Sequence, residues 1–253
     1  MNTEEIKLAI QKNAHLDFDR DRFISASRIL GSLEKEFDAK EMAQRCSLKQ
    51  GHEMFGIPPE QIIQIWSDRG EASATKGDQT HDYIRFVLGD DRTALQRFLK
   101  TNQIPHRMQM CFLDFKNKNL NGACDLIDTE FKLFSEKHRV SLVVDAMFNF
   151  IEYGLYVFDW KTNEAISRYS RYKLLPPFDF LDNSKWTIYT LQLQIYQFIL
   201  QEEYGLEIKG TRNVWLTEDG SESIKPKFPY DKEMIKDIID FGVEKSVEKF
   251  SKK

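Results

Sequence analysis

The fold is decided by residues 139–161, RVSLVVDAMFNFIEYGLYVFDWK. Both ends of this stretch are rich in β-branched and aromatic residues that alternate with a period near two, which is typical of β-strands. The residues between them predict a hairpin centred on Glu152. In that register Asp145 and Asp159 oppose each other across the ladder, about 4.5–5.5 Å apart. Lys161 lies two residues after Asp159, so both side chains leave the same face of the strand.

The opposed aspartates predict a divalent-cation site. Like charges directly across a ladder are destabilising, and the apolar neighbours of Asp145 and Asp159 disfavour the charged carboxylates. A cation such as Mg²⁺ or Mn²⁺, which prefers oxygen ligands, offsets both effects. Lys161 beside it would hold a water or neutralise charge on a phosphoryl oxygen. The alternative is that both aspartates end their strands at the surface and Lys161 pairs with one of them.

The segments around the hairpin are helical before it and mixed after it, which is an α/β (α+β) arrangement. Paired prolines and an Asn/Asp/Ser cluster predict a long loop, and glycines mark the helix ends. Residues 1–65 are predicted to be helical, including a helix that starts at the prolines of 57–70. Helices at 71–89 and 93–100 and a turn at 117–122 follow, before the two strands. After the strands, the predicted elements are a loop at 167–186, a helix at 189–205, a strand at 211–217 and a charged amphipathic helix from Asp231.

Composition and charge restrict the class of protein. The chain is 41% hydrophobic and 30% charged, enough to bury a core and unlike a disordered chain. The formal net charge of −4 argues against coating nucleic acid through bulk positive charge. A metal site, however, concentrates carboxylates, so a nuclease is not excluded.

The cysteines and the N-terminal residues bear on the compartment. Cys46, Cys111 and Cys124 are scattered and form no C-x-x-C pair, which argues against a disulfide framework, a zinc ribbon and a four-cysteine iron–sulfur cluster. No stretch approaches the about 20 apolar residues that span a bilayer, and the first residues fit neither a signal nor a transit peptide. We expect a reduced, cytoplasmic protein without membrane contact.

Two further residue groups point to a site. In the predicted helix before Gly89, His81 lies one turn after Gly77 on an apolar face, and a glycine permits close approach of another group. A histidine on such a face is otherwise a hydrogen-bonded core residue. Gln192 and Tyr196 are one turn apart on the later helix, so they are neighbours. Alone, they would be an ordinary partly buried polar pair.

In order, these residues resemble the motifs of the RecB-type branch of the PD-(D/E)XK nucleases. The series is G-x-x-x-H in KGDQTH, an aspartate in VSLVVDAMF, D-x-K in YVFDWKT and Q-x-x-x-Y in LQLQIYQFIL. The spacing of fourteen residues between the aspartates, the helix that follows and the strand TRNVWLT are similar too. The upstream FISASRILGSLEKEFDAKEMAQ also resembles the helical entry of stand-alone phage-type and mitochondrial exonucleases. The resemblance covers residues 20–245 and implies a restriction-endonuclease-like core with a central mixed β-sheet flanked by helices.

The resemblance also implies a role for each motif residue. Asp145 and Asp159 would hold the catalytic Mg²⁺ or Mn²⁺, together with the backbone carbonyl of Trp160. Lys161 would position the attacking water, and His81 would be a further ligand of the metal.

Three other positions carry over from the family. Gln192 and Tyr196 would steady the catalytic lysine and the substrate phosphate, and Glu130 matches an acidic position often found in such sites. Two positions depart from the family pattern. Leu142 replaces a glycine three residues before the first aspartate, which would narrow the space for the phosphate, and Asp78 replaces a threonine. The iron–sulfur cluster of some relatives is not expected here.

The loop after the D-x-K strand, SRYSRYK, is a candidate DNA-binding segment. Its basic side chains offer phosphate contacts and its tyrosines offer faces for base stacking. The alternative is a solvated basic loop with the tyrosines packed beneath it. The residues concerned are Arg168, Tyr169, Arg171, Tyr172 and Lys173.

The sequence therefore predicts a single nuclease domain over residues 1–253, with a helical N-terminal arm at 1–65 and a catalytic core at 66–253. We expect a Mg²⁺- or Mn²⁺-dependent exonuclease acting on single- or double-stranded DNA ends in recombination, repair or replication, alone or with partner proteins of those processes. A gene of a phage or mobile element fits a stand-alone enzyme of this size. The alternatives are a silent nuclease fold that binds nucleic acid, and an interaction domain in which the motifs are coincidental.

Overall fold

The structure, a computed structural model, describes residues 1–13, 15–16, 19 and 22–250. The parts of the predictions that concern residues 14, 17, 18, 20, 21 and 251–253 lie outside them. The helices are α1 (Thr3–Ile10), α2 (Ala26–Ser32), α3 (Ala39–Leu48), α4 (Pro59–Leu88), α5 (Arg92–Thr101), α6 (His106–Asn119), α7 (Lys185–Tyr204) and α8 (Lys232–Phe250), with a 3₁₀ turn at Gln11–Asn13. The strands are β1 (Ile24–Ser25), β2 (Cys124–Ser135), β3 (Val140–Phe150), β4 (Gly154–Lys161), β5 (Ile208–Leu216) and β6 (Ser221–Ile224).

The predicted α/β (α+β) class is confirmed: one mixed six-stranded sheet is flanked by helices. The strands run in the order β1-β3-β4-β5-β6, and β2 pairs with β3. The pairs β1·β3 and β4·β5 are parallel, and the others are antiparallel. Within the described residues no helix is long and apolar enough to cross a bilayer.

The predicted hairpin register is confirmed. Phe150 pairs with Gly154 and Ala146 pairs with Phe158, so the hairpin is centred on Glu152. Gly154 has a φ of +80°, a left-handed conformation that closes the turn without strain. The ladder ends at the Ala146–Phe158 pair, one residue before the two aspartates. The strands therefore begin to separate where the candidate site starts.

Helix α4 corrects the prediction of two helices at 57–70 and 71–89. It runs without a break through Gly70, since one glycine costs a helix interior only about 1 kcal/mol. The start at the prolines and the end at Gly89 are as predicted. The boundary predicted between arm and core, after residue 65, lies inside this helix.

Four elements were not predicted: α6, β1, β2 and β6. In β2 the period is irregular, because a register shift lies between Leu126 and Asp128 and charged residues interrupt the apolar ones. Strand β1 has only two residues, too few to show a period, and it interrupts the region predicted as helical.

The N-terminal helices pack into the same core as the sheet. Ile6 of α1 and Ile29 of α2 belong to one buried apolar cluster with Val144 of β3 and residues of α7 and α8. A Cβ at Gly242 of α8 would lie 2.6 Å from Ile29 Cγ2, so the glycine permits the close crossing of α2 and α8. A second cluster lies between the sheet and helices α4 and α6.

The long loop before α7 is held by a buried ion pair. Asp182 Oδ1 lies 2.6 Å from Lys227 Nζ, and the same carboxylate accepts a hydrogen bond from Ser170 N at 3.0 Å. It also accepts from the hydroxyls of Ser184 and Thr187 at the start of α7. Burial would raise the pKa of Asp182, but the hydrogen bonds from Lys227 and Thr187 lower it to about 2.

We expect Asp182→Asn to lower the free energy of unfolding at pH 7 by about 2 kcal/mol, because the charged form is favoured in the folded state. The folded pKa is below the unfolded value of 3.8, so this contribution is present above pH 4 and is lost as the pH falls towards 2. Urea unfolding at pH 7 and from pH 5 to 2 measures it. Asp179→Asn, in the exposed part of the same loop, is the matched control. A difference from wild type that does not shrink in acid would contradict the assignment.

Candidate active site

Three carboxylates lie side by side on adjacent strands. The β2·β3 pairs Thr129–Ala146 and Phe131–Val144 bracket Glu130 and Asp145, which therefore face each other. Across the other edge of β3, Asp145 and Asp159 follow directly after the last hairpin pair. The sheet register thus brings Glu130, which the hairpin prediction did not include, close to Asp145 and Asp159, which it did include.

Glu130 has an unusual backbone. Its φ is +50°, in the left-handed region that a glutamate adopts only at a cost. The strain falls at the residue that faces Asp145, where the ladder between β2 and β3 is interrupted. Such strain is typical of functional sites, and it turns Glu130 towards His81.

Asp145 is buried, 7% exposed, at the point where β3 and β4 separate. Its Oδ2 accepts a hydrogen bond from the backbone N–H of Trp160 at 2.7 Å. Burial and the charge of Asp159 raise the pKa of Asp145 to about 7, although His81 and Lys161 oppose the rise. Asp159 is buried as well, so the alternative of aspartates at the surface is wrong, although its other part, a pairing of Lys161 with one of them, is confirmed for Asp159.

His81, on α4, is surrounded by acceptors. Its Nδ1 lies 3.2 Å from Glu130 Oε1 and 3.5 Å from Asp145 Oδ2, and its Nε2 lies 3.1 Å from the carbonyl oxygen of Trp160. Burial lowers the pKa of His81, but the two carboxylates outweigh this and raise it to about 9. The imidazole thus lies between the acids, and it would give up its proton to coordinate a cation there.

Another segment lies near Gly77, but not at the close distance that only a glycine would permit. A Cβ there would be 3.7 Å from Thr162 Oγ1, which is ordinary van der Waals contact. An alanine would therefore fit, and packing does not require the glycine.

Three of the predicted metal ligands fit one cation. Ligand atoms of His81, Glu130 and Asp145 all lie within 4.8 Å of one another. Two carboxylates and an imidazole suit Mn²⁺, and the carboxylates suit Mg²⁺. The Trp160 carbonyl is adjacent. Asp159 is outside this group: its Oδ2 lies 2.5 Å from Lys161 Nζ, and its Oδ1 accepts a hydrogen bond from Gln192 Nε2 at 3.2 Å.

Lys161 is largely buried, with 13% of its side chain exposed, and it is held on three sides. Its Nζ donates to Gln192 Oε1 at 3.0 Å, pairs with Asp159 and lies 4.4 Å from the ring centre of Tyr189. Burial lowers the pKa of Lys161, but the charges of Asp159 and Asp145 outweigh it and raise the pKa. Lys161 is therefore a fixed ammonium ion rather than a base.

Gln192 and Tyr196 join this network. The Gln192 Nε2 donates to the Tyr196 hydroxyl at 2.7 Å, so the two are neighbours as the spacing predicted. Burial and the charge of Asp159 raise the pKa of Tyr196 well above its ordinary value, so it stays a phenol. The sequence analysis missed Tyr189, whose position three residues before Gln192 on the same helix was the available signal.

The basic loop exposes its tyrosines. Tyr169 is 76% and Tyr172 is 62% exposed, so the alternative with tyrosines packed beneath the loop is wrong. Arg171 stacks on Tyr172, with 4.9 Å between its Cζ and the ring centre. Arg168 pairs with Glu222, and Lys173 forms a β-bridge with Asp182.

Trp186 extends the basic loop and was missed by the sequence analysis. Its indole N–H donates to the Lys225 carbonyl at 2.9 Å. Arg168 lies 5.2 Å and Lys227 5.7 Å from its ring. It is the second residue of α7, which begins at Lys185, four residues before the predicted helix start at Tyr189 and inside the loop predicted at 167–186.

Of the two departures from the family pattern, the structure describes Leu142 as part of the core. It is 3% exposed and belongs to the same buried cluster as Val144, so it is not an exposed wall of the site. Asp78 lies on α4 beside Gly77.

No family model matches the chain, and no curated protein matches it. Among solved structures, the chain is similar to the crystal structure of SSO0001, with a TM-score of 0.38 and 12% identity over 95% of this chain and 84% of that one. A likeness at this TM-score carries no argument about function.

Proposed function

We propose that this protein is a Mg²⁺- or Mn²⁺-dependent deoxyribonuclease that hydrolyses phosphodiester bonds, acting as an exonuclease on DNA ends. One observation carries the proposal: a three-residue donor group for a cation lies next to a largely buried ammonium ion. The donors are His81, Glu130 and Asp145, and the ammonium is that of Lys161. The resemblance of the four motifs agrees with this chemistry, and the preference for ends rests on that resemblance alone.

The residues divide into two groups by role. His81, Glu130 and Asp145 would hold the cation, with the Trp160 carbonyl beside them. A bound Mg²⁺ or Mn²⁺ supplies a Lewis acid for the phosphoryl oxygen and lowers the pKa of a coordinated water. The ammonium of Lys161 orients a water and stabilises negative charge that develops on the phosphoryl oxygen.

Asp159 and Gln192 fix the ammonium of Lys161 in place before substrate arrives, so little reorganisation is needed. In the reaction the water oxygen bonds to phosphorus and the bond from phosphorus to the 3′-oxygen breaks. The proton that the water loses is balanced by the one that the 3′-oxygen gains. The products are a 5′-phosphate and a 3′-hydroxyl.

The basic loop and Trp186 would supply affinity for DNA despite the net charge of −4. The exposed tyrosines present π-faces to unpaired bases, with Arg171 between them in sequence and Lys173 directly after Tyr172. This favours contact with single-stranded DNA at or near an end.

We expect Tyr169→Ala and Tyr172→Ala each to raise the KM for single-stranded DNA about tenfold, because stacking contributes roughly 1–3 kcal/mol per base. The kcat should stay near that of wild type, since neither residue contacts Lys161. Tyr153→Ala is the matched control, because Tyr153 is 63% exposed but lies in the β3–β4 turn. Equal effects of all three substitutions would mean that the loop does not bind DNA.

Digestion of end-labelled linear single- and double-stranded DNA, beside a closed circle, tests the proposed function. The reactions contain Mg²⁺, Mn²⁺ or EDTA. Metal-dependent loss of the linear substrates alone is expected, and the position of the label gives the polarity. Cleavage of the circle would show an endonuclease. Intact DNA that still binds in a gel shift would support the silent binding module. If the protein neither cleaves nor binds DNA, the motifs are coincidental.

The setting of the activity is part of the proposal. All three cysteines are unpaired, which fits a reducing compartment such as the cytoplasm. An end-directed nuclease there would act in recombination, repair or replication, with or without partner proteins of those processes.

A further inference from the structure

Asn213 on β5 is a buried amide without a partner. It is 1% exposed, and neither its Nδ2 nor its Oδ1 has a hydrogen-bond partner among the described residues. Buried amides are nearly always paired, so such a residue calls for an explanation. The proposed function gives Asn213 no role.

The position of Asn213 links it to the candidate site. β4 and β5 are parallel, and Asn213 is the register partner of Asp159. Paired residues of neighbouring strands project to the same face of the sheet, and the strands lie about 4.8 Å apart. Asn213 therefore stands beside Asp159, on the face that α7 covers through Gln192.

The neighbouring residues of β5 agree with this direction. Val214, one residue on, packs on the opposite face with Trp160. Trp215, two residues on, donates its indole N–H to the Asn163 carbonyl, and the Asn163 side chain in turn bonds Tyr189 of α7. The alternation of β5 thus directs Asn213 to the α7 side.

Asp159 Oδ2 is bound by the protein through its ion pair alone. It lies 2.5 Å from Lys161 Nζ and accepts no other hydrogen bond among the described residues. A carboxylate oxygen with one partner can accept a second hydrogen bond, and both polar atoms of Asn213 lack a partner among the described residues. No direct hydrogen bond joins them, so a small polar group belongs between them.

We infer that ordered water occupies the space between Asn213 and Asp159, and that Asn213 is a positioning residue for Asp159. Water accepts from Nδ2 and donates to the carboxylate and to Oδ1, so it suits all three atoms. A cation suits them less, because it cannot accept from Nδ2 and the ammonium of Lys161 repels it. The water fixes the orientation of Asp159 and, through the ion pair, that of Lys161. The consequence for hydrolysis rests on the proposed function, whereas the water site does not.

A high-resolution crystal structure of the metal-free protein tests the site directly. Density for a water within hydrogen-bond distance of both Asn213 Nδ2 and Asp159 Oδ2 is expected, and it should be absent in Asn213→Leu. An amide that instead bonds directly to a protein group would overturn the inference. This test does not depend on any activity towards DNA.

Kinetics test the positioning role. We expect Asn213→Leu to lower kcat about 10–100-fold, with KM for DNA within about twofold. Its thermal midpoint should fall by a few degrees, because loss of the water leaves the buried Asp159 carboxylate with one hydrogen bond fewer. Asn213→Ser, which keeps a hydroxyl and room for water, should recover most of kcat. Asn149→Leu, a strand asparagine paired with Leu155 near the hairpin turn, is the control.

The outcomes separate the two proposals. Wild-type kcat in Asn213→Leu, or a kcat of Asn213→Ser as low as that of Asn213→Leu, would overturn the positioning role. If Asn213→Leu does not fold, the serine variant and the water density decide. If the wild-type protein does not cleave DNA, the water density still decides whether the site exists, and the failure belongs to the proposed function alone.

Discussion

Lys161→Ala is expected to lower kcat for DNA hydrolysis about 10³-fold, the upper range for loss of one fixed electrostatic donor. The ammonium of Lys161 is largely buried and is held by Asp159, Gln192 and Tyr189, so a freely oriented water is a poor substitute for it. Affinity for DNA should change little, because the exposed loop supplies it. End-labelled digestion in Mg²⁺ measures the rate, and a gel shift in EDTA measures binding.

Lys161→Ala is also expected to lower the free energy of unfolding, so a double substitution serves as the control for this loss of stability. Removing Lys161 alone leaves the charge of Asp159 buried without its partner, which costs about 3–5 kcal/mol. Asp159→Asn with Lys161→Met removes both charges and should restore stability but not activity. Lys209→Ala removes an exposed lysine that pairs with Glu207, and it should change neither. Activity that returns with stability in the double variant would show that Lys161 is only structural.

Asp145→Asn is expected to abolish stabilisation by Mn²⁺. In the wild type, Mn²⁺ at 100 times its Kd should raise the free energy of unfolding by about 2.7 kcal/mol, because it binds the folded state alone. Asparagine still accepts the hydrogen bond from Trp160 N, so the strands keep their geometry. The substitution also removes a carboxylate whose charged form is disfavoured by burial and by the charge of Asp159, which raise the pKa of Asp145 to about 7. The metal-free variant should therefore be more stable than the wild type at pH 8.

Thermal melts and calorimetry with Mn²⁺ or EDTA measure these changes. Asp125→Asn, an exposed aspartate on β2 whose carboxylate accepts from the Thr3 hydroxyl, is the matched control and should keep the full response to Mn²⁺. An equal response of Asp145→Asn would place the ion elsewhere. No response of the wild type would mean that the His81, Glu130 and Asp145 group does not bind Mn²⁺.

The local elements were predictable because short-range signals specify them. The hairpin follows from alternation and a turn that ends at Gly154, and its register placed Asp145 opposite Asp159. Helix α7 follows from its apolar run and ends at Gly205, whose φ of +64° closes it. Neighbours along one helix, such as Gln192 and Tyr196, follow from the 3.6-residue period.

Elements without a regular period were not predictable in this way. The register shift in β2 breaks the alternation, and Glu130 has a backbone conformation that no pattern of residue types indicates. The sequence predicts two helices here because a glycine such as Gly70 is typical of a helix end. Helix α4 instead continues through Gly70 and packs on α3 and α5.

The sequence by itself determined the hairpin, which places Asp145 and Asp159 directly after its last pair, and the common face of Asp159 and Lys161, because strand register depends on residues close together in the chain. Only the tertiary structure decided which groups meet. Docking of α4 brings His81 to Glu130 and Asp145, and docking of α7 brings Gln192 to both Asp159 and Lys161, which pair directly on β4. Those contacts depend on how helices pack over the sheet, and that packing is set by burial of apolar faces distant in sequence.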